Sequence, residues 1–257
     1  MTGFVVFVCA VLGLMVGSFL NVVIWRVPRK ESVVTPASHC PGCDAPIAPY
    51  DNVPVASWVI LRARCRGCGD RISARYPMVE LANAGLWAAV ALRFGAVWEL
   101  PAYLVFVSAL LALALIDLDT FLLPDRIVYP LSGALVALFG LAAVMEGDLG
   151  SWVRAVLAGL ASFGVFLVIH LISPRGMGFG DVKLSFSLGV ALGWLSWGTV
   201  FVGFFLGFLI GSVVGLGLLA AGVTNRKQHV PFGPYLAAGA VLALFVAQPV
   251  VSLYLGH

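Results

Sequence analysis

The sequence predicts an all-α, polytopic membrane protein with a small four-cysteine module inserted after its first helix. Of its 257 residues, 61% are hydrophobic and 11% charged, with a mean hydropathy of +1.04. That leaves too little polar surface to coat a soluble globule of this length. The apolar residues fall into eight stretches, close to the ~20 residues that a helical crossing of a bilayer needs. The basic residues collect in alternate connections between them.

Taken in order, the predicted spans run roughly from 4 to 25, 79 to 97, 101 to 117, 127 to 145, 152 to 172, 183 to 197, 199 to 222 and 235 to 255. The first is followed, not preceded, by basic residues (Arg26, Arg29, Lys30). This is the reverse of a secretory signal, so the span is expected to stay attached with its N-terminus outside. Eight crossings from that start put Arg26, Arg29, Lys30, Arg62, Arg64, Arg66, Arg71, Arg75, Arg126, Arg175, Lys183, Arg226 and Lys227 inside. These are 13 of the 15 Lys and Arg, with Arg93 and Arg154 outside. A miscounted span would scatter the charges over both faces, so the bias supports the topology. The net charge of +3 then describes a cytoplasmic rim and not a nucleic-acid surface.

The one long polar segment, from about Arg26 to Met78, is rich in Pro, Arg and Cys where the rest is aliphatic. It divides the chain into a first transmembrane helix (1–25), a cytoplasmic module (26–78) and a seven-helix membrane domain (79–257). The polar connections Asp119 to Arg126, Ser173 to Asp181 and Thr224 to Pro234 share the module's side. In the seventh span Gly203, Gly207, Gly211 and Gly215 recur every four residues, a stripe that lets a neighbouring helix approach closely.

Within the module, Cys40-Pro41-Gly42-Cys43 and Cys65-Arg66-Gly67-Cys68 form two C-x-x-C knuckles. Two such knuckles complete a tetrahedral four-sulfur site, and a reducing compartment favours a structural zinc over the alternatives, a pair of disulfides or a redox C-x-x-C. Gly42 and Gly67 suit the turn inside each knuckle, and Gly69 the turn after the second. His39 reads as a bystander, and Cys9 as a small apolar residue of the first helix.

Two carboxylates stand at the cytoplasmic ends of apolar spans: Asp117 closes the third and Asp181, in Gly178-Phe179-Gly180-Asp181, opens the sixth. Intramembrane carboxylates are costly and mark functional sites. Two close ones share a proton, so the charged member takes a proton from water while the protonated one donates to a peptide carbonyl or amine. Gly178 and Gly180 have no side chains to block an extended substrate backbone. In the duller reading Asp181 caps its helix, while Asp119 and Asp125 either cap the next one or shape the site. Lys183 is expected to pair with Asp181 or to snorkel to the interface, and His170 to lie at the interface.

Gly17-Ser18-Phe19-Leu20-Asn21-Val22, the paired C-x-x-C, Ile72-Ser73-Ala74-Arg75-Tyr76-Pro77 with Glu80, Ile116-Asp117-Leu118-Asp119 with Leu123-Pro124-Asp125, Gly176-Met177-Gly178-Phe179-Gly180-Asp181-Val182-Lys183 and Pro231-Phe232-Gly233-Pro234 follow one another in this order. Together they resemble the type IV prepilin peptidases, bifunctional leader peptidases and N-methyltransferases of bacterial inner membranes. The resemblance implies that Asp117 and Asp181 are the catalytic aspartates of a G-x-G-D membrane protease. It implies as partners a prepilin or pseudopilin, whose short basic leader is cut on the cytoplasmic side, and the bilayer in which its apolar helix lies. It further implies methylation of the new N-terminus from S-adenosylmethionine, although no glycine-rich Rossmann fingerprint follows a strand; the junction around Arg75 and Glu80 is the place to seek that site. Both termini are then periplasmic and the cysteine module cytoplasmic. Two other classes compete: a cation-coupled transporter using the two aspartates, against which stand the absence of a repeat and the placement of the charges at helix ends, and a zinc-containing scaffold, which leaves the G-x-G-D run without a role.

Overall fold

The computed structural model describes residues 2–174, 176–222 and 231–255, with side chains described through Ala247. Arg175, Arg226 and Lys227 of the predicted basic rim lie outside the described residues. Every regular element among those described is helical, and the cysteine segment adds two isolated antiparallel bridges, His39 to Pro46 and Arg64 to Arg71. The chain divides into two compact units, Met1–Leu100 and Pro101–His257.

The first unit holds α1 (Thr2–Arg26), a 3-10 turn (Pro49–Asn52), α2 (Ala56–Ile60) and α3 (Arg75–Phe94). Helices α1 and α3 run antiparallel on a seam of small residues: Gly13 faces Ala84 and Trp87, and Gly17 faces Glu80 and Asn83. A Cβ at Gly17 would stand 2.7 Å from Glu80 Cα. Backbones this close leave room for polar ties, and the buried Asn83 amide donates to Gly13 O at 2.8 Å while Asn21 reaches Tyr76 O at 3.2 Å. In lipid such small-residue seams and interhelical hydrogen bonds hold helices together where the hydrophobic effect does not. The predicted second span starts at 79, whereas α3 starts at Arg75, one turn earlier, inside the polar segment.

The module between these helices is fastened at both ends. Arg26, buried at the end of α1, donates to Ser32 O (3.1 Å) and Pro36 O (2.8 Å). On the other side the buried Glu80 carboxylate accepts the Val55 N–H at 2.7 Å. The Trp58 indole donates to Ile72 O at 3.1 Å, and Arg66 grips Asp51 through two hydrogen bonds of 2.8 and 2.6 Å.

The second unit contains α4 (Leu100–Thr120), α5 (Asp125–Glu146), α6 (Leu149–Ile172), α7 (Phe179–Leu195), α8 (Trp197–Ala220) and α9 (Gly233–Leu255). Helix α7 is its axis. It packs on α5, α6, α8 and α9, and the Tyr103 hydroxyl of α4 donates to its Ala191 carbonyl at 3.1 Å. Gly189 and Gly193 let α6 approach to backbone contact, since Cβ atoms there would lie 2.6 Å from Ala158 O and 2.5 Å from Ala158 Cβ. At the far end Arg154 of α6 donates to the carbonyls of Gly193 (2.8 Å), Trp194 and Leu195 (3.3 Å). It satisfies the orphan acceptors that close a helix and puts a cation at the negative end of its dipole.

Among the described residues eight long helices coincide in order with the eight predicted stretches. Five of them, α1, α4, α5, α6 and α8, are long and apolar enough by themselves to cross a membrane. The predicted glycine stripe of α8 meets α9 at three of its four positions: Gly203 faces Ala240 and Ala243, Gly207 faces Leu236, and Gly211 faces Phe232 and Tyr235. Gly215 has no described atom within 4 Å of where its Cβ would be. The closest approach comes from α9 itself, where a Cβ on Gly239 would lie 2.3 Å from Gly207 N.

Candidate active site and four-cysteine centre

Asp117 sits one turn before the end of α4, which runs on to Thr120 rather than stopping at 117, and Asp181 lies in the first turn of α7. Both are buried, at 5% and 6% exposure, and Leu123 lies against the start of α7 at Gly180 and against Gly233, which itself abuts Asp117 Oδ2. Their surroundings differ. Asp117 Oδ2 accepts the Gly233 N–H at 3.0 Å, a donor of the kind that the first turn of a helix leaves without an intrahelical partner. Asp181 Oδ1 is buried without a hydrogen-bond partner among the described residues. A buried polar oxygen in that state is expensive.

Leu123 lies between Gly180 of α7 and Gly233 of α9. A Cβ at Gly180 would stand 2.9 Å from Leu123 Cβ, and one at Gly233 would stand 3.2 Å from Leu123 Cδ2 and 2.7 Å from Asp117 Oδ2. The two glycines of the G-x-G-D run therefore serve differently. Gly180 makes room for Leu123, so the space beside it is not open to a substrate backbone. Gly178 is exposed and extended (φ −68°, ψ 146°), and a Cβ on it would lie 3.4 Å from Asp181 Oδ2.

Of the other acidic residues, Asp119 is exposed at the end of α4. Asp125, in the first turn of α5, forms an ion pair with Lys183 of α7. The Lys183 ammonium also lies 5.5 Å from the Tyr129 ring and 5.2 Å from the Phe179 ring. Lys183 thus pairs with neither Asp181 nor bulk water alone. It ties the starts of α5 and α7 together below the 121–124 loop. His170, near the end of α6, has its Nδ1 2.8 Å from the Met177 carbonyl oxygen. Sequence reasoning missed Gly233 as a part of the site; its signal was a Gly-Pro step opening an apolar span, which leaves N–H donors at a helix start.

The four cysteines converge. Their sulfurs all lie within 4.8 Å of one another, and Cys40 Sγ is 3.7 Å from Cys68 Sγ. Bonded sulfurs would be about 2.05 Å apart, whereas tetrahedral thiolates at about 2.3 Å from a metal stand roughly 3.8 Å apart. The spacing fits a metal and not disulfides. The knuckles repeat the same backbone at an offset of 25: Cys40 N bonds Ala45 O as Cys65 N bonds Asp70 O, and Asp44 N bonds Cys40 O as Gly69 N bonds Cys65 O. Asp44 (φ 58°) and Gly69 (φ 77°) occupy the same left-handed position. Gly42 and Gly67 do not; a Cβ on Gly42 would meet the carboxylate end of the exposed Asp70 side chain of the opposite knuckle. The amides of Cys68 and Gly67 bring the Cys65 thiol down to about 6. The Asp70 amide lowers Cys68 too, but burial and the neighbouring sulfurs outweigh it and push that thiol up to about 12. Four sulfurs gathered this way hold their negative charge cheaply only around a cation. His39 stands outside the sulfur group, 3.7 Å from Asp44, and Cys9 is buried in α1.

Residues 104–219 match a family profile described as the type IV leader peptidase family, and residues 11–94 match one described as the bacterial peptidase A24 N-terminal domain. A relative named prepilin leader peptidase/N-methyltransferase from Aeromonas hydrophila is 37% identical, with 94% of this chain and 91% of the relative covered. A Bacillus subtilis protein of the same name is 34% identical over 95% of this chain and 96% of its own length. One from Myxococcus xanthus is 42% identical over 87% of this chain and 67% of its own. No solved structure gives a significant match. The chain belongs to the type IV leader peptidase family, and it is a multi-pass membrane peptidase.

Proposed function

We propose that this protein cuts the short basic leader from type IV prepilins or pseudopilins at the cytoplasmic face of the bacterial inner membrane, with Asp117 and Asp181 as its catalytic pair, and then methylates the new N-terminus. The observation that carries the peptidase half is the burial of two carboxylates, Asp117 of α4 and Asp181 of α7, one braced by the Gly233 N–H and the other with an oxygen that has no partner among the described residues. Water held between them loses a proton to the charged member as its oxygen attacks the scissile carbonyl. The protonated member gives its proton to the carbonyl oxygen, which makes a gem-diol; the member that took the proton from water then passes it to the departing amine as the other takes one back from the gem-diol, and the pair ends with one shared proton as it began. Exposed Gly178 gives an extended substrate backbone access to Asp181.

Eight crossings with both termini periplasmic keep the basic leader and the cysteine module on the same side, in line with the positive-inside bias. The ion of the four-cysteine centre is zinc in this reading, a closed four-thiolate site with a structural role. S-adenosylmethionine, when bound, supplies an electrophilic methyl group. A cleft of about 340 Å³ between α1 and the module suits it, with Phe19 to stack on a base, Ser18 and Asn52 to hydrogen-bond, and Arg26 at its wall. Glu80 is committed to the Val55 N–H and is better read as a fastening of the module. Incubation of the purified protein with a prepilin, with and without S-adenosylmethionine, tests the whole reading by product mass: loss of the leader in both, plus one methyl group only with the donor. An uncleaved prepilin in both arms would overturn it.

A further inference from the structure

We infer that His170 is a positioning residue for Asp181, resting on the reading of Asp117 and Asp181 given above. His170 stands in the last turn of α6, and its Nδ1 lies 2.8 Å from the carbonyl oxygen of Met177. A carbonyl only accepts, so Nδ1 carries the proton and donates. The ring also packs against Phe179, with centroids 5.5 Å apart at 53°. These contacts clasp the polypeptide on either side of Gly178.

What they hold in place is the entry to α7. Gly178 is the N-terminal cap, its carbonyl accepts the Asp181 N–H at 3.1 Å, and a Cβ on it would lie 3.4 Å from Asp181 Oδ2. The Gly178 backbone therefore abuts the carboxylate, and its position sets where that carboxylate points. Gly176 and Gly178 have the widest dihedral freedom of any residue type, so the segment has little intrinsic preference for this path and depends on a tether. The opposite side of the same turn is held by Leu123 against Gly180 and by the Lys183–Asp125 pair. His170 supplies the hold on the α6 side, without touching the reacting atoms.

A displacement of about 1 Å at a catalytic group costs up to ~100-fold in rate, and release of the loop falls within that range. The test compares steady-state cleavage of a prepilin by full-length His170→Leu, which keeps bulk without a donor, and His170→Asn, whose Nδ2 occupies nearly the same place as Nδ1. The leucine variant is expected to lose about tenfold or more in kcat with KM within about threefold, and the asparagine variant to return to within about threefold of the wild type. His170→Ala replaces the leucine variant if the latter does not fold. Wild-type kcat in the donor-less variant, or an asparagine variant as slow as the donor-less one, would overturn the assignment. Asp181→Asn is run alongside: cleavage by that protein overturns the catalytic pair itself, whereas its inactivity beside a fully active His170→Leu overturns only the positioning role.

Discussion

Alanine at Gly233 tests the geometry of the site more sharply than changes in the G-x-G-D run. The added Cβ would lie 2.7 Å from Asp117 Oδ2, against about 3.3 Å for the shortest comfortable carbon–oxygen contacts. Roughly 0.6 Å must therefore be found by moving the carboxylate or the start of α9. Leu123 Cδ2, at 3.2 Å, closes the other direction. With ~100-fold per 1 Å as the scale, the expected loss in kcat is about tenfold or more, and overpacking should cost about 1–3 kcal/mol of stability. At Gly180 the obstacle is Leu123 at 2.9 Å and not a carboxylate, and at Gly178 the nearest atom is Asp181 Oδ2 at an ordinary 3.4 Å with a backbone φ of −68° that alanine adopts freely. The predicted order of kcat loss is Gly233→Ala, then Gly180→Ala, then Gly178→Ala, whose effect should fall on KM instead. Michaelis parameters for cleavage of one prepilin by the three purified variants, with thermal unfolding as a control, check this. The reasoning fails if Gly233→Ala keeps the wild-type kcat, or if Gly178→Ala has the largest loss.

The remaining predictions concern metal, packing and pH. Protein purified under reducing conditions should carry one zinc per chain by elemental analysis, and Cys40→Ser or Cys65→Ser should lose it and loosen the module in limited proteolysis; metal-free wild type would refute the centre. Gly239→Ala should destabilise the α8–α9 pair by about 1–3 kcal/mol, because its Cβ meets Gly207 N at 2.3 Å and Gly203 O at 2.6 Å, whereas Gly215→Ala, with open space around it, should be neutral or gain up to about 1 kcal/mol; unfolding midpoints in one detergent compare them. Asp148 caps α6, and bonds from the Ser151 hydroxyl and then its N–H hold its carboxyl below the usual carboxylate range. A depressed carboxylate stabilises above its unfolded value and loses that contribution as pH falls through the folded one. The difference in melting temperature between wild type and Asp148→Asn should therefore be full near neutral pH and shrink below about pH 4; a difference that grows on acidification would contradict it.

How much of this was legible beforehand depended on whether a feature is local. Eight apolar stretches, two C-x-x-C knuckles and two carboxylates at span ends are all written in short windows, and each reappears as a helix, a sulfur cluster and a buried pair. Partner choice is not local. Lys183 has Asp181 two residues away, yet successive helical positions point apart and its side chain crosses to Asp125; no spacing rule reveals which helix lies opposite. Gly215 continues the stripe of Gly203, Gly207 and Gly211 in sequence but meets no described neighbour. The turn after the second knuckle is left-handed at Gly69, where the glycine suggests it, but the matching position after the first is Asp44, which no glycine announces. Leu123 shapes the site through packing alone, which leaves no chemical signature in a sequence, whereas Gly233 also acts through its N–H on Asp117 Oδ2.

The central claim is that Asp117 and Asp181 act as one catalytic pair, and intact-mass analysis of a prepilin incubated with each single variant tests it most directly. Asp117→Asn and Asp181→Asn should insert in the membrane as the wild type does and leave the substrate at its full mass, while Asp119→Asn should still release the leader. Normal cleavage by either of the first two variants would contradict the account.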